Sequence, residues 1–248
     1  MTSRLILDTP RKSSAQLSTA NRLDTPAPQR GESLSKELWA RTQDVAQEAL
    51  GSTFIQGIKH GSLDPNSFGQ YTIQDAVYCY QAQRDYEVLA SRITRPDLKA
   101  FVEARRDGYA KYNQQTFALW HIREPNALSL SPAAKAYSDF ESMVAANDEP
   151  LYAIVAMIPC ERLWSWLANQ MIGDAGPGNL YSFWITGNTS DTGACRLEAF
   201  VDAHAHHLDE GRALSVYRTC MLGECNFFRS ACKQDPLLLE PARITATA

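Results

Sequence analysis

Apolar side chains recur at three- and four-residue steps from Ser35 onward, and no stretch alternates apolar with polar as a half-buried strand would. The spacing predicts helices over roughly 35–51, 64–92, 96–121, 131–146, 150–172, 179–187, 192–211 and 214–234. Asp64 can cap the second of these, and Pro65 suits its first turn. Phe54-Ile55-Gln56-Gly57-Ile58, closed by Gly61, reads as a turn-rich connection, and 173–178 as a glycine-rich loop. A chain of this kind is all-α, a bundle of about seven or eight helices. Residues 1–33 are rich in Ser, Thr, Pro, Arg and Asp and carry Leu-Asp-Thr-Pro twice, at 7–10 and 23–26. They read as a mobile tail, and 34–240 as a single helical domain.

The apolar pattern is broken twice by an acid. Phe68, Tyr71, Asp75, Tyr78 and Ala82 share one face of the 64–92 helix, with a carboxylate among aromatics. Leu214, Tyr217, Met221, Glu224 and Phe228 repeat the arrangement near the C-terminus. A carboxylate withdrawn from water is costly unless it has a partner, a proton or a chemical role. Two of them, flanked by Tyr71, Tyr78 and Phe228, point to a shared aromatic pocket. A purely structural pair, bonded to tyrosine hydroxyls or arginines in the core, is the competing reading.

Composition narrows the partners. The 248 residues carry a net charge of −4 and a sequence pI near 5.8, which is no electrostatic footprint for nucleic acid. No apolar run reaches the roughly 18 residues needed to span a membrane, and the N-terminus lacks an apolar signal core. Six scattered cysteines without a C-x-x-C pair fit reduced thiols and a cytoplasmic location. One of them, Cys160, lies in the apolar 150–172 helix directly after Pro159, with Trp164 on the same face. Proline removes a backbone donor and can bend the helix, which would open the thiol to a pocket. As a nucleophile the thiol would need a nearby base or a lowered pKa; otherwise it is a small core hydrophobe. His204, His206 and His207 cluster beside Asp209 and Glu210, but the pattern reads as a solvated helix face and no metal site is expected.

Three segments together resemble the TenA/THI-4 proteins. Phe54-Ile55-Gln56-Gly57-Ile58 with Gly61-Ser62-Leu63, Phe68, Tyr71 and Gln74-Asp75 is similar to that family's N-terminal signature. Ile158-Pro159-Cys160 is similar to its catalytic-cysteine segment, and Glu224-Cys225-Asn226-Phe227-Phe228 to its C-terminal acid and aromatics. The resemblance spans about 36–234 and implies the heme-oxygenase-like helical bundle. It also implies the activity of thiaminase II enzymes: hydrolysis of 4-amino-5-aminomethyl-2-methylpyrimidine to the hydroxymethyl pyrimidine, and cleavage of thiamin. On that resemblance Asp75 would bind the pyrimidine amino group and ring nitrogens, and Cys160 would add to the ring. Glu224 would carry protons to the leaving amine and from water. Tyr71, Tyr78, Trp164 and Phe228 would line the substrate site. No cofactor is implied, and a homo-oligomer, dimer or tetramer, is.

The chain departs from the family pattern at four places. Ser52-Thr53 replaces a His-Pro pair, Trp164 stands where a tyrosine is usual, and two pocket tyrosines fall near Asn188 and Asp139. The resemblance thus implies an aminopyrimidine or a related thiamin-breakdown heterocycle as substrate, and the changed pocket residues imply a substrate that has diverged from the family's usual pyrimidine. Two other functions stay open from the sequence. One is a non-heme diiron oxidase of the same superfold using Glu141, His204, His206, His207 and Glu210, although no histidine lies near Glu103 and Ala213 stands where another would be wanted. The other is a non-catalytic regulatory or binding protein.

Overall fold

The computed structural model describes residues 33–238; the tail with its two Leu-Asp-Thr-Pro segments lies outside them, apart from Ser33. Ten α-helices and no strand occur among the described residues: α1 (Leu34–Ala40), α2 (Gln43–Gly51), α3 (Thr53–Lys59), α4 (Pro65–Arg92), α5 (Pro96–Trp120), α6 (Pro132–Asn147), α7 (Pro150–Gln170), α8 (Ser182–Gly187), α9 (Thr192–Ala203) and α10 (Glu210–Ala231). Four of the five long helices, α4 to α7, begin with proline in the first turn, where its missing N–H costs nothing. Asp64, Ser131 and Glu149 cap three of them by accepting from backbone N–H groups.

α7 is apolar on nearly every side and occupies the centre, as a helix without a polar face must. It packs against α6, α9 and α10, while α4 lies between α5 and α6, and α10 closes on α6 and α2. Pro159 stands inside α7, which continues through it to Gln170. No helix among the described residues is long and apolar enough to cross a membrane.

Three local expectations are corrected. The single helix over 35–51 is two, because buried Thr42 turns its hydroxyl back onto the Leu38 and Trp39 carbonyls and ends the first. The segment 54–58 is helical rather than a turn: Ser52 accepts from the Ile55 N–H and starts α3, which stops before Gly61 at φ 66°. The helix over 192–211 ends at Ala203, a 3-10 turn follows at Ala205–His207, and Asp209 then caps α10 by accepting from the Arg212 N–H. That cap starts α10 at Glu210, four residues earlier than the apolar spacing suggested.

Candidate active site

α4, α7 and α10 bring the sequence-chosen residues to the middle of the bundle, all of them buried. Asp75 is 5 % exposed, Cys160 1 % and Glu224 1 %, and Tyr71, Tyr78, Trp164 and Phe228 are equally enclosed. The aromatics form a continuous wall. The Tyr71 ring lies 4.4 Å from Phe54, 4.6 Å from Phe227, 5.5 Å from Phe228 and 6.1 Å from Trp164, and Trp164 lies 5.0 Å from Trp184. The bend expected at Pro159 leaves the Cys160 thiol enclosed among these core groups rather than exposed to solvent.

Each acid has an identifiable neighbour. The Trp164 indole N–H donates to Glu224 Oε1 at 2.5 Å. An indole can only donate, so Oε1 is fixed as the acceptor and any proton the carboxyl carries resides on Oε2. Asp75 Oδ1 lies 4.0 Å from the Cys79 sulfur, one helical turn along α4. Tyr78 turns its hydroxyl toward α6 and donates to Glu141 Oε1 at 3.0 Å.

Glu141 is a third core acid. It is 1 % exposed, and burial pushes its carboxyl well above the usual carboxylate range, opposed by the Tyr78 bond and reinforced by the nearby charges of Asp85 and Glu224. The same cause, burial, raises Tyr78 and Tyr137 far above an ordinary phenol. Tyr137 stacks on Tyr78 at 4.9 Å and sits within electrostatic reach of Glu141, Glu224 and Cys160. Space for its ring comes from Gly223 on α10, where a Cβ would lie 2.5 Å from the ring. An aromatic ring thus lies two residues before Asp139. Asp139 itself is exposed and pairs with Lys135. The signal for both residues was in the sequence, since Ala134, Tyr137, Glu141 and Val144 repeat the acid-on-an-apolar-face spacing of Asp75 and Glu224.

A cavity of about 90 Å³ opens between α5, α7 and the start of α9. Trp164 and Cys79 form part of its wall; Trp164 touches Glu224 and Cys79 touches Asp75. Of the seven sequence-chosen residues, only Trp164 lines this cavity directly. Its outer lining was not anticipated: Arg105, Tyr109, Tyr112, Glu161, Ser165, Ser190, Thr192, Gly193 and Arg196. Asn188, also on the wall, is buried and anchored by its amide donating to the Trp184 carbonyl at 2.6 Å, so no ring projects from that position. Glu161 rests against Gly193, and a Cβ there would collide with its carboxylate.

The diiron set is not assembled. His204 shares its ring nitrogens with the Phe200 carbonyl at 2.8 Å and Asp97 at 3.2 Å, far in sequence and fold from core Glu141, and Glu210 lies 3.6 Å from Arg41 on the surface. Among the described residues no group of three or more His, Cys, Asp or Glu side chains is placed to hold a metal ion.

Comparison with known proteins agrees with this architecture. The chain is similar to a TenA homologue from P. horikoshii OT3, with a TM-score of 0.72 at 18% identity over 81% of this chain and 98% of that one. It is similar to a TenA homologue from Pyrococcus furiosus, with a TM-score of 0.69 at 17% identity over 80% and 99%. In sequence it is 28% identical over 211 residues to the thiamine biosynthesis multifunctional protein ThiED of Corynebacterium efficiens. That match takes in 81% of this chain but spans only 28% of the relative's length. Residues 39–233 match a family as one continuous stretch, and the chain belongs to the TENA/THI-4/PQQC family.

Proposed function

We propose that the chain is a thiol-assisted hydrolase of an aminopyrimidine or a related thiamin-breakdown heterocycle. The observation that carries this reading is the burial of Cys160, Glu224 and Asp75 in a core rich in aromatic rings. A cavity reaches Trp164 and Cys79, each of which contacts one of the acids. Family membership and the similarity to a thiamine biosynthesis protein support it.

In the proposed reaction Asp75 accepts from the exocyclic amino group and orients the ring. The Cys160 sulfur forms a bond to a ring carbon as the thiol proton passes to a ring nitrogen, from which it returns to sulfur when that bond later breaks, and the ring electrons then expel the amine from the exocyclic methylene as Glu224 Oε2 gives it a proton. Water adds to the methylene and returns a proton to Glu224, and the carbon–sulfur bond breaks to restore the aromatic ring. The sum is amine replaced by hydroxyl, with ammonia released and no change of redox state. The role of Trp164 is positional: its N–H holds Oε1, leaving Oε2 as the single proton-carrying atom.

The test is incubation of the protein with the aminomethyl pyrimidine, thiamin and their breakdown products, followed by chromatography, with Cys160→Ser alongside. Turnover lost in the variant supports the assignment; no turnover of any of these compounds by the parent protein overturns it.

A further inference from the structure

We infer that the cavity mouth between α5, α7 and α9 is an oxyanion site that receives a phosphate arm of the ligand. Arg105 is 7 % exposed and lines the cavity, yet it makes no ion pair and no hydrogen bond with any other described residue. An arginine so far removed from water normally has a carboxylate or carbonyl against it, because five N–H donors left without acceptors are costly. Its side-chain nitrogens are not among the fully enclosed orphan atoms of the core, so they reach the cavity surface. The acceptor it lacks is thus one that enters from outside.

The surroundings suit phosphate. Arg196 lines the same mouth and likewise has no ion pair among the described residues. Ser165, Ser190 and Thr192 add hydroxyls, and the twelve-residue helix α9 opens onto the cavity through Thr192 and Gly193. Its N-cap residue, Asp191, makes no capping bond, and turns instead toward Arg162 at 3.4 Å. The Thr192 N–H donates to Ser190 Oγ at 3.4 Å, the Asp191 side chain caps none of the amides that follow, and a helix start of this kind favours negative charge. Glu161 is the opposing charge on the lining, so two guanidinium groups and one carboxylate leave it with a net positive charge. A phosphate monoester, planar-forked by two arginines, matches this set better than a neutral or cationic group.

The second half of the inference rests on the proposed hydrolase reading: with the heterocycle held beyond Trp164, the phosphate would be an arm of the same molecule. Calorimetric titration of the full chain with inorganic phosphate tests the site by itself. Binding weakened at least about tenfold by Arg105→Met, and by Arg196→Met as a second variant on the more accessible group, is expected. Glu161→Gln should tighten it. No phosphate binding by the parent chain, or affinity untouched by both arginine variants, overturns the site. Thiamin monophosphate and thiamin are then compared as ligands, and the phosphorylated compound should bind at least about tenfold tighter in the parent and lose that advantage in Arg105→Met. Equal affinity of the two overturns the arm while leaving the hydrolase reading intact. Phosphate binding without turnover of any heterocycle would instead remove the hydrolase reading and keep the anion site.

Discussion

The core of the bundle and the mouth beside it treat charge in opposite ways. In the core, acids are either neutralised or given a donor: Glu141 takes the Tyr78 hydroxyl and is pushed toward its protonated form, and Glu224 takes the Trp164 indole. At the mouth, Arg105 is nearly as deeply buried and has no hydrogen bond or ion pair with any other described residue. The difference separates two purposes. On the proposed function, the groups that would act on protons are held in fixed bonds at the end of a closed wall. A group that must catch a charged ligand is kept without one, at a cost to stability that the ligand repays on binding.

Substitutions can break this contrast. The largest effect is expected at the reacting centre. Cys160→Ser should lower turnover of the aminomethyl pyrimidine by roughly a hundredfold or more, read by single-turnover kinetics, with the melting temperature little changed. Glu224→Gln keeps an oxygen for the Trp164 N–H but cannot carry the proton. Its kcat should also fall roughly a hundredfold, whereas Trp164→Phe, which removes the N–H, should change the pH profile of kcat as well as its size.

Asp85 gives the next largest effect. Its Oδ1 accepts from Gln81 at 3.0 Å and Ser142 at 2.8 Å, and burial pushes its carboxyl up to about 6. Unfolded, the same group loses its proton near pH 4. The native state therefore holds that proton more tightly, and Asp85 favours folding most below about pH 4. The advantage drains away between about pH 4 and 6, and above 6 folding is weaker by roughly 3 kcal/mol on this account. Asp85→Asn should flatten that slope in chemical denaturation curves recorded at pH 5 and pH 8; an unchanged slope would show that burial of Asp85 is relieved in solution.

Smaller effects sharpen the comparison. Gly223→Ala places a Cβ against Tyr137 and should cost about 1–3 kcal/mol by overpacking. Glu141→Leu should cost a similar amount, about 1–3 kcal/mol, because the Tyr78 hydroxyl loses its acceptor, while Glu141→Gln should be nearly silent. Arg105→Met should move the other way and raise stability by about 1 kcal/mol, since it removes a buried charge without breaking any bond. Thermal melts of these four variants under one buffer check the opposite signs.

Much of the architecture was legible from local chemistry. α4 to α7 announce themselves through proline in the first turn and an apolar face of helical period, and their ends fall where the sequence places them. The misplaced boundaries are at Thr42, Ser52 and Asp209, where one short polar side chain decides whether a helix stops or starts. Asp75 and Glu224 stood out because an acid interrupts an apolar stripe, and Glu141 carried that same signal. Arg105 did not. α5 has only a weak apolar face, so an arginine on it looks solvated; its burial comes from tertiary structure, the packing of α5 on α4 and the cavity wall it shares with residues of α7 and α9, which spacing along one helix cannot show.

Gly193 has one further consequence. The carboxylate of Glu161 occupies the space a side chain at 193 would need, and it sits at the end of a flexible stem. An alanine there would evict the carboxylate rather than deform the backbone of α9. Ligand preference at the mouth is thus adjustable from a position that touches neither arginine. A single small substitution could reset the balance between anionic and uncharged ligands while the reacting core stays as it is, which makes residue 193 the natural place to look when relatives of this fold differ in what they accept.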